Sequence, residues 1–171
     1  MNILYGITGG VAAYKAPEVV RRLRDRGHAV RCVLTANGAH LVASEALIAV
    51  SGQPVANDLW VRDGSMPHID LARWCEALLV APLSANSLAR FALGLADDLL
   101  STLFLALEPS KRVVLAPAMN TVMWNKPIVQ QHLATLRAQG AVLVGPVAGT
   151  LACGETGLGA MASPDQIADA I

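Results

Sequence analysis

Aromatic side chains are scarce in this chain, at 4% of 171 residues, and charged ones are scarce too, at 15%. An average soluble domain carries about 25% charged residues. The 13 basic residues match the 13 acidic ones. No block of like charge stands out, so no nucleic-acid footprint is present. Cysteine is sparse and scattered, at Cys32, Cys75 and Cys153. Three widely spaced thiols fit neither a disulfide framework nor a CxxC metal site, and no metal is expected. Long apolar runs are missing as well. Spanning a bilayer takes roughly 18 or more apolar residues. The stretch 138–154 is broken by Gly140, Gly145, Pro146 and Gly149, and the stretch 77–89 by Pro82, Ser84, Asn86 and Ser87. No cationic segment precedes the first apolar residues, as a secretory signal requires. A cytoplasmic protein without a membrane partner is expected.

What is abundant is aliphatic. Hydrophobic residues make up 54% of the chain, mostly Ala, Val, Leu and Ile. That excludes a disordered chain. So few charges leave little to cover a monomer's surface, and a homo-oligomer is expected. Residues 2–8 form an apolar run ended by Gly9-Gly10, and Ala12, Ala16, Val19, Val20 and Leu23 then recur at helical spacing up to Gly27. A second run covers 29–34. Strand, helix and strand make a βαβ unit, hence a parallel sheet. The pattern returns as strands at 77–81, 112–116 and 141–144, the first two ended by Pro82 and Pro117. Helices are expected at 84–91, 97–107 and 126–139, and another leads from His68 toward Trp74. A Gly-rich loop follows Val144, then a helix capped by Ser163 with Pro164 at its first position. Residues 1–171 therefore predict one doubly wound α/β domain, with helices on both faces of the sheet.

Ligands of such sheets sit beyond the carboxyl ends of the strands. Thr8-Gly9-Gly10 opens a helix there. Its amide groups suit a phosphate, or serve only a tight turn. The spacing is not GxGxxG, and no acidic residue ends the second strand, so a mononucleotide fits better than a dinucleotide. Thr35 and Asn37, one strand over, add phosphate bonds or cap their turn. Ser84 reads as an N-cap, which leaves Asn86 and Ser87 over. Asn120 in Pro117-Ala-Met-Asn120 reads best as a cap or turn residue. His68 has the pKa range for acid–base work, or a structural role. Cys153, among Gly149, Gly154, Gly157 and Gly159, reads as a reactive or proton-donating thiol. Cys32 and Cys75 read as packing.

Together these motifs resemble the homo-oligomeric flavin-containing cysteine decarboxylases. The resemblance rests on Ile7-Thr-Gly-Gly-Val-Ala-Ala-Tyr-Lys15, His68-Ile-Asp-Leu71, Ala81-Pro-Leu-Ser-Ala-Asn-Ser87, Gly94-Leu-Ala-Asp-Asp-Leu99, Pro117-Ala-Met-Asn-Thr-Val-Met-Trp124 and Ala152-Cys-Gly-Glu-Thr-Gly-Leu-Gly-Ala-Met161. It covers nearly the whole chain and implies a Rossmann/flavodoxin-like fold with FMN at the interface of a trimer or of a dodecamer of trimers. By the family pattern Thr8, Gly9 and Gly10 hold the phosphate, helped by Thr35 and Asn37. Ser84, Asn86 and Ser87 line the flavin site, with Asp98 and Met119 near the ring or ribityl chain. His68 is the implied base, and Asn120 the carboxylate-binding residue, with Ala118 and Met161 beside the substrate. Cys153 lies in a closing loop as a proton donor. Ala160 stands where bacterial bifunctional members usually carry Arg.

The implied chemistry explains these residue types. Loss of carbon dioxide from a cysteine leaves a carbanion with no sink, and a flavin supplies one by oxidising the thiol first. Members of the family differ in substrate. Some act on a small thiol intermediate of coenzyme A biosynthesis and return the hydride. Others act on the C-terminal cysteine of a peptide and stop at the enethiol. Cys153 tilts the expectation toward the complete, redox-neutral reaction. Flavin-binding phosphatase regulators of the family carry long acidic tails, and no such run occurs here.

Overall fold

Structure is described for residues 1–60 and 64–171 in a computed structural model. The aliphatic runs form β1 (Asn2–Ile7), β2 (Ala29–Leu34), β3 (Ala77–Leu83), β4 (Arg112–Pro117) and β5 (Val142–Leu143). They pair in parallel in the order β2-β1-β3-β4-β5. Every residue of the central β3 is buried. Alternation along β1 sends Ile3, Tyr5 and Ile7 to one core and Leu4 to the other. The first core lies under α1 (Ala16–Asp25), α2 (Ser44–Ser51) and α8 (Pro164–Asp169). The second lies under α3 (Pro67–Trp74), α4 (Ala85–Leu93), α5 (Leu99–Ala106) and α7 (Pro127–Ala138). The short α6 (Thr121–Trp124) follows β4. This is the doubly wound α/β architecture that the sequence implies.

Four local departures have physical reasons. The first helical pattern splits into a 3-10 turn over Val11–Lys15 and then α1. Pro17 sits at the start of α1, where its missing N–H breaks no helical bond. The helix α2 has no counterpart in the sequence reading; its cap residue Ala43 supplies no side-chain bond and so no start signal. Strand β3 runs past Pro82 and β4 takes in Pro117 as its last residue, and Leu83 pairs with Pro117 after the register slips. A proline is tolerated at such an irregularity because no ladder donor is required of it. Finally, the Gly-rich segment is a loop only in part. It folds as an antiparallel hairpin of β6 (Val147–Thr150) and β7 (Thr156–Ala160).

The sheet order reverses between β1 and β3, which opens a crevice at their carboxyl ends. Thr8 joins the two strands there. Fully buried, its hydroxyl donates to the Pro82 carbonyl at 2.6 Å and accepts from the Ser84 N–H at 2.9 Å. Thr8→Val keeps the shape and strands both partners in the interior. We expect unfolding free energy to fall by about 2 kcal/mol. Urea denaturation measures it, and an unchanged midpoint would contradict the bridging role.

Candidate active site

A cavity of about 650 Å³ opens at the carboxyl ends of the strands, within the range of cofactor-binding sites. Three chain segments build it: the turn after β1 with Gly9 and Gly10, the β4–α6 connection over residues 118–120, and the hairpin tip with Cys153. Ser84 at the start of α4 and Met161 at the end of β7 complete it. The only charged side chain lining it, among the described residues, is Lys15. A cation beside bare glycine amides favours an anion. No group of His, Cys, Asp or Glu that could hold a metal occurs among the described residues.

The Gly9 turn lies flush on the next one. A Cβ at Gly9 would stand 2.5 Å from the Asn37 Cβ. Thr35 closes its own turn, donating to the Ile7 carbonyl at 3.2 Å and accepting from the Gly38 N–H at 3.1 Å. Thr35 and Asn37 thus shape the wall behind Gly9 and do not line the cavity. Thr8 does not line it either, because its hydroxyl is spent on Pro82 and Ser84. Ser84 caps α4, accepting from the Ser87 N–H at 3.3 Å, while Ser87 is buried and Asn86 is exposed outside the cavity. Asp98 also stands apart from the cavity. One carboxylate oxygen caps α5 through Ser101, and the other pairs with Arg90 at 2.5 Å. It holds the α4–α5 junction together, and its carboxylate is occupied there.

Asn120 is a cap, and that fixes which end of its amide faces the cavity. Its Oδ1 accepts from the Val122 N–H at 2.7 Å, so the NH2 group points outward. That group donates to Glu155 Oε2 at 3.0 Å and lies 3.5 Å from Cys153 Sγ. The Cys153 thiol donates to the same Glu155 oxygen at 3.6 Å. The hairpin is pinned onto this turn because the Met119 N–H donates to the Gly159 carbonyl at 3.0 Å. A side chain at position 159 would collide with the Met119 carbonyl, so glycine is required for the approach. Ala118 and Met119 line the cavity, half-buried; Met161 is 3% exposed and belongs mainly to the core behind it.

His68 sits in the first turn of α3 and does not line the cavity. Its Nδ1 is buried with no partner among the described residues. A buried nitrogen without a partner costs about 1–3 kcal/mol and calls for an explanation. Of the expected trio His68, Asn120 and Cys153, one chain brings together only the last two. Two cavity-lining residues, and a third beside them, have no site role in the sequence reading. Tyr14 and Lys15 fall in the stretch of helical spacing that ends at Gly27, and the 3-10 turn brings both to the cavity. Glu155 lay within a recognised motif whose only singled-out side chains were Cys153 and Met161.

A doubly wound α/β fold with an anion-compatible crevice at the strand switch point defines a nucleotide-type binding domain. Comparison narrows this class, for the flavoprotein family model matches residues 1–171 and the chain belongs to that family. The coenzyme A biosynthesis bifunctional protein CoaBC of Haemophilus influenzae is 44% identical over 172 residues, covering 99% of this chain and 42% of the relative. The chain thus spans about two-fifths of the length of the curated relatives it matches. A PPC decarboxylase cysteine-to-serine mutant complexed with pantothenoylaminoethenethiol superposes with TM-score 0.88 at 35% identity, covering 99% of this chain and 94% of that one. The FMN-dependent cysteine decarboxylase SpaF gives TM-score 0.83 at 30% identity, covering 99% and 97%.

The three thiols differ sharply in setting. Burial pushes Cys32 up to about 12 and raises Cys75, whereas Cys153 is exposed at the cavity. A raised pKa leaves less thiolate at neutral pH, and the thiolate is the nucleophile. Iodoacetamide should therefore modify Cys153 alone in the folded protein at neutral pH, and all three thiols in urea. Mass spectrometry of the peptides reads this out. Equal labelling of Cys32 in the folded state would contradict it.

Proposed function

We propose that the chain is an FMN-dependent decarboxylase of a cysteine carboxylate, with 4'-phosphopantothenoylcysteine as substrate and 4'-phosphopantetheine as product. The observation that carries this reading is the Asn120 amide. Its NH2 donor, fixed in direction by the Val122 cap, faces a cavity beside an exposed thiol. A fixed donor is what an incoming carboxylate needs. The substrate choice is supported by the likeness to CoaBC and to the PPC decarboxylase complex.

The residues present fit FMN. The cavity has the volume for a flavin, Gly9 and Gly10 leave the backbone bare, and Lys15 carries the only charge on its wall among the described residues. FMN, when bound, supplies the electron sink that a cysteine carboxylate lacks. Gly9, Gly10 and Lys15 hold the phosphate end. Asn120 orients the substrate carboxylate through its NH2 group. His68 takes a proton from the substrate, and Cys153 delivers one to the carbon that loses carbon dioxide.

His68 reaches this cavity in a homo-oligomer, a trimer or a dodecamer of trimers, that sets it against the cavity of a neighbouring protomer. Two features support this reading. The Nδ1 of His68 is buried without a partner among the described residues. Further, α5 is apolar nearly all round: Leu99, Leu100 and Leu103 are buried, while Leu105 is 54% exposed; Leu93 at the end of α4 and Leu95 in the connection that follows are exposed at 63% and 50%. A helix apolar on every side is normally covered on every side. No helix among the described residues is long and apolar enough to cross a membrane. We assign the protein to the cytoplasm on its likeness to the coenzyme A biosynthesis protein CoaBC.

The test is mass spectrometry of the purified yellow protein's products. With 4'-phosphopantothenoylcysteine a loss of about 44 Da is expected, since the hydride is returned. A loss of about 46 Da from a peptide ending in cysteine, without turnover of the small substrate, would overturn the substrate assignment. His68→Asn should lower turnover by about 10²-fold or more with flavin retained. Cys153→Ser should stall at the unsaturated thiol, and saturated product at the wild-type rate would remove Cys153 from its role.

A further inference from the structure

Glu155 touches two side chains, and both belong to the proposed chemistry. Its Oε2 accepts from the Asn120 NH2 group at 3.0 Å and from the Cys153 thiol at 3.6 Å. Among the described residues no Lys, Arg or His stands within ion-pair distance of it. The Asn120 amide has only its NH2 end to offer a ligand, because its oxygen is held by the Val122 N–H at 2.7 Å. A carboxylate of the protein thus occupies the donor that a substrate carboxylate would use. The chain itself delivers it. Glu155 closes the hairpin turn through its carbonyl, which accepts from the Leu151 N–H at 2.8 Å, and β7 is anchored on Met119. A tethered group acts at a high effective concentration.

Resting on the decarboxylase reading, we infer that Glu155 is a positioning residue whose carboxylate stands in for the substrate carboxylate on Asn120 and yields that place when substrate binds. Two consequences follow from the chemistry. Only a ligand bearing its own carboxylate displaces Glu155 with a like-for-like bond, so the exchange selects carboxylates. The product has lost its carboxylate, so Glu155 returns to Asn120 and the hairpin tip settles back beside Cys153. Glu155 therefore weakens carboxylate-bearing ligands and leaves carboxylate-free ones untouched, a pattern that a merely structural turn residue would not produce.

The experiment titrates FMN-loaded wild type, Glu155→Ala and Glu155→Gln with two ligands, following flavin absorbance. One ligand is the serine analogue of the substrate, which keeps the carboxylate but has a hydroxyl for the thiol. The other is 4'-phosphopantetheine, which has no carboxylate. Glu155→Ala should tighten the serine analogue about tenfold, the scale of a lost charge-assisted competitor, and leave 4'-phosphopantetheine unchanged. Glu155→Gln keeps the length without the charge and should fall between. Steady-state kinetics should show KM for the cysteine substrate falling in Glu155→Ala, with no rise in kcat. Unchanged or weakened binding of the serine analogue in both variants overturns the inference while the decarboxylase reading stands. If wild type takes up neither FMN nor the analogue, the decarboxylase reading falls and the inference falls with it.

Discussion

The buried hydroxyl of Thr8 holds the cleft in place. At the point where the sheet order reverses, it donates to the Pro82 carbonyl and accepts from the Ser84 N–H. Those two groups belong to the end of β3 and the start of α4, so one side chain fixes the turn after β1 against the turn after β3. The Gly9 turn then rests against Asn37, and Thr35 ties the end of β2 to Ile7. Strand ends without such bonds would leave buried polar groups unpaired, which interiors do not tolerate. The hydrogen bonds at its base therefore set the shape of the crevice.

On this rigid base the hairpin of β6 and β7 adds the chemistry. Its glycines bring backbone against backbone at Met119, so that the Asn120 amide and the Cys153 thiol meet. The sheet supplies one half of the site and the hairpin tip the other. The tip has few buried side chains: Leu151 is buried, while residues 152–155 are exposed. Regions with little buried apolar surface open at low free energy. The proposed function asks the tip to admit a substrate, and a segment of that class suits the task.

The parallel sheet, most of the helices on its two faces and the strand-end positions of the cavity were legible in the sequence, because continuous apolar strands and capped helices carry strong local signals. Ser84, Asn120 and Ser163 are caps, as local chemistry implied. What escaped were features set by tertiary contact. The hairpin strands are glycine-rich with weak strand preference, and they pair because β7 docks on Met119. Asp98, expected near a flavin by resemblance alone, also caps α5 through Ser101, a role its spacing of three residues to Ser101 could have signalled. Glu155 could not be singled out from spacing, since its partner Asn120 is 35 residues away. The separation of His68 from Asn120 and Cys153 is a property of packing, invisible in a linear pattern.

In the proposed function one chain holds most of the site and a homo-oligomer completes it. Sedimentation velocity, followed in the protein and flavin absorption bands together, tests this most directly. The account predicts that FMN travels with a trimer or larger assembly, at one flavin per chain. A stable monomer that carries tightly bound FMN would contradict it.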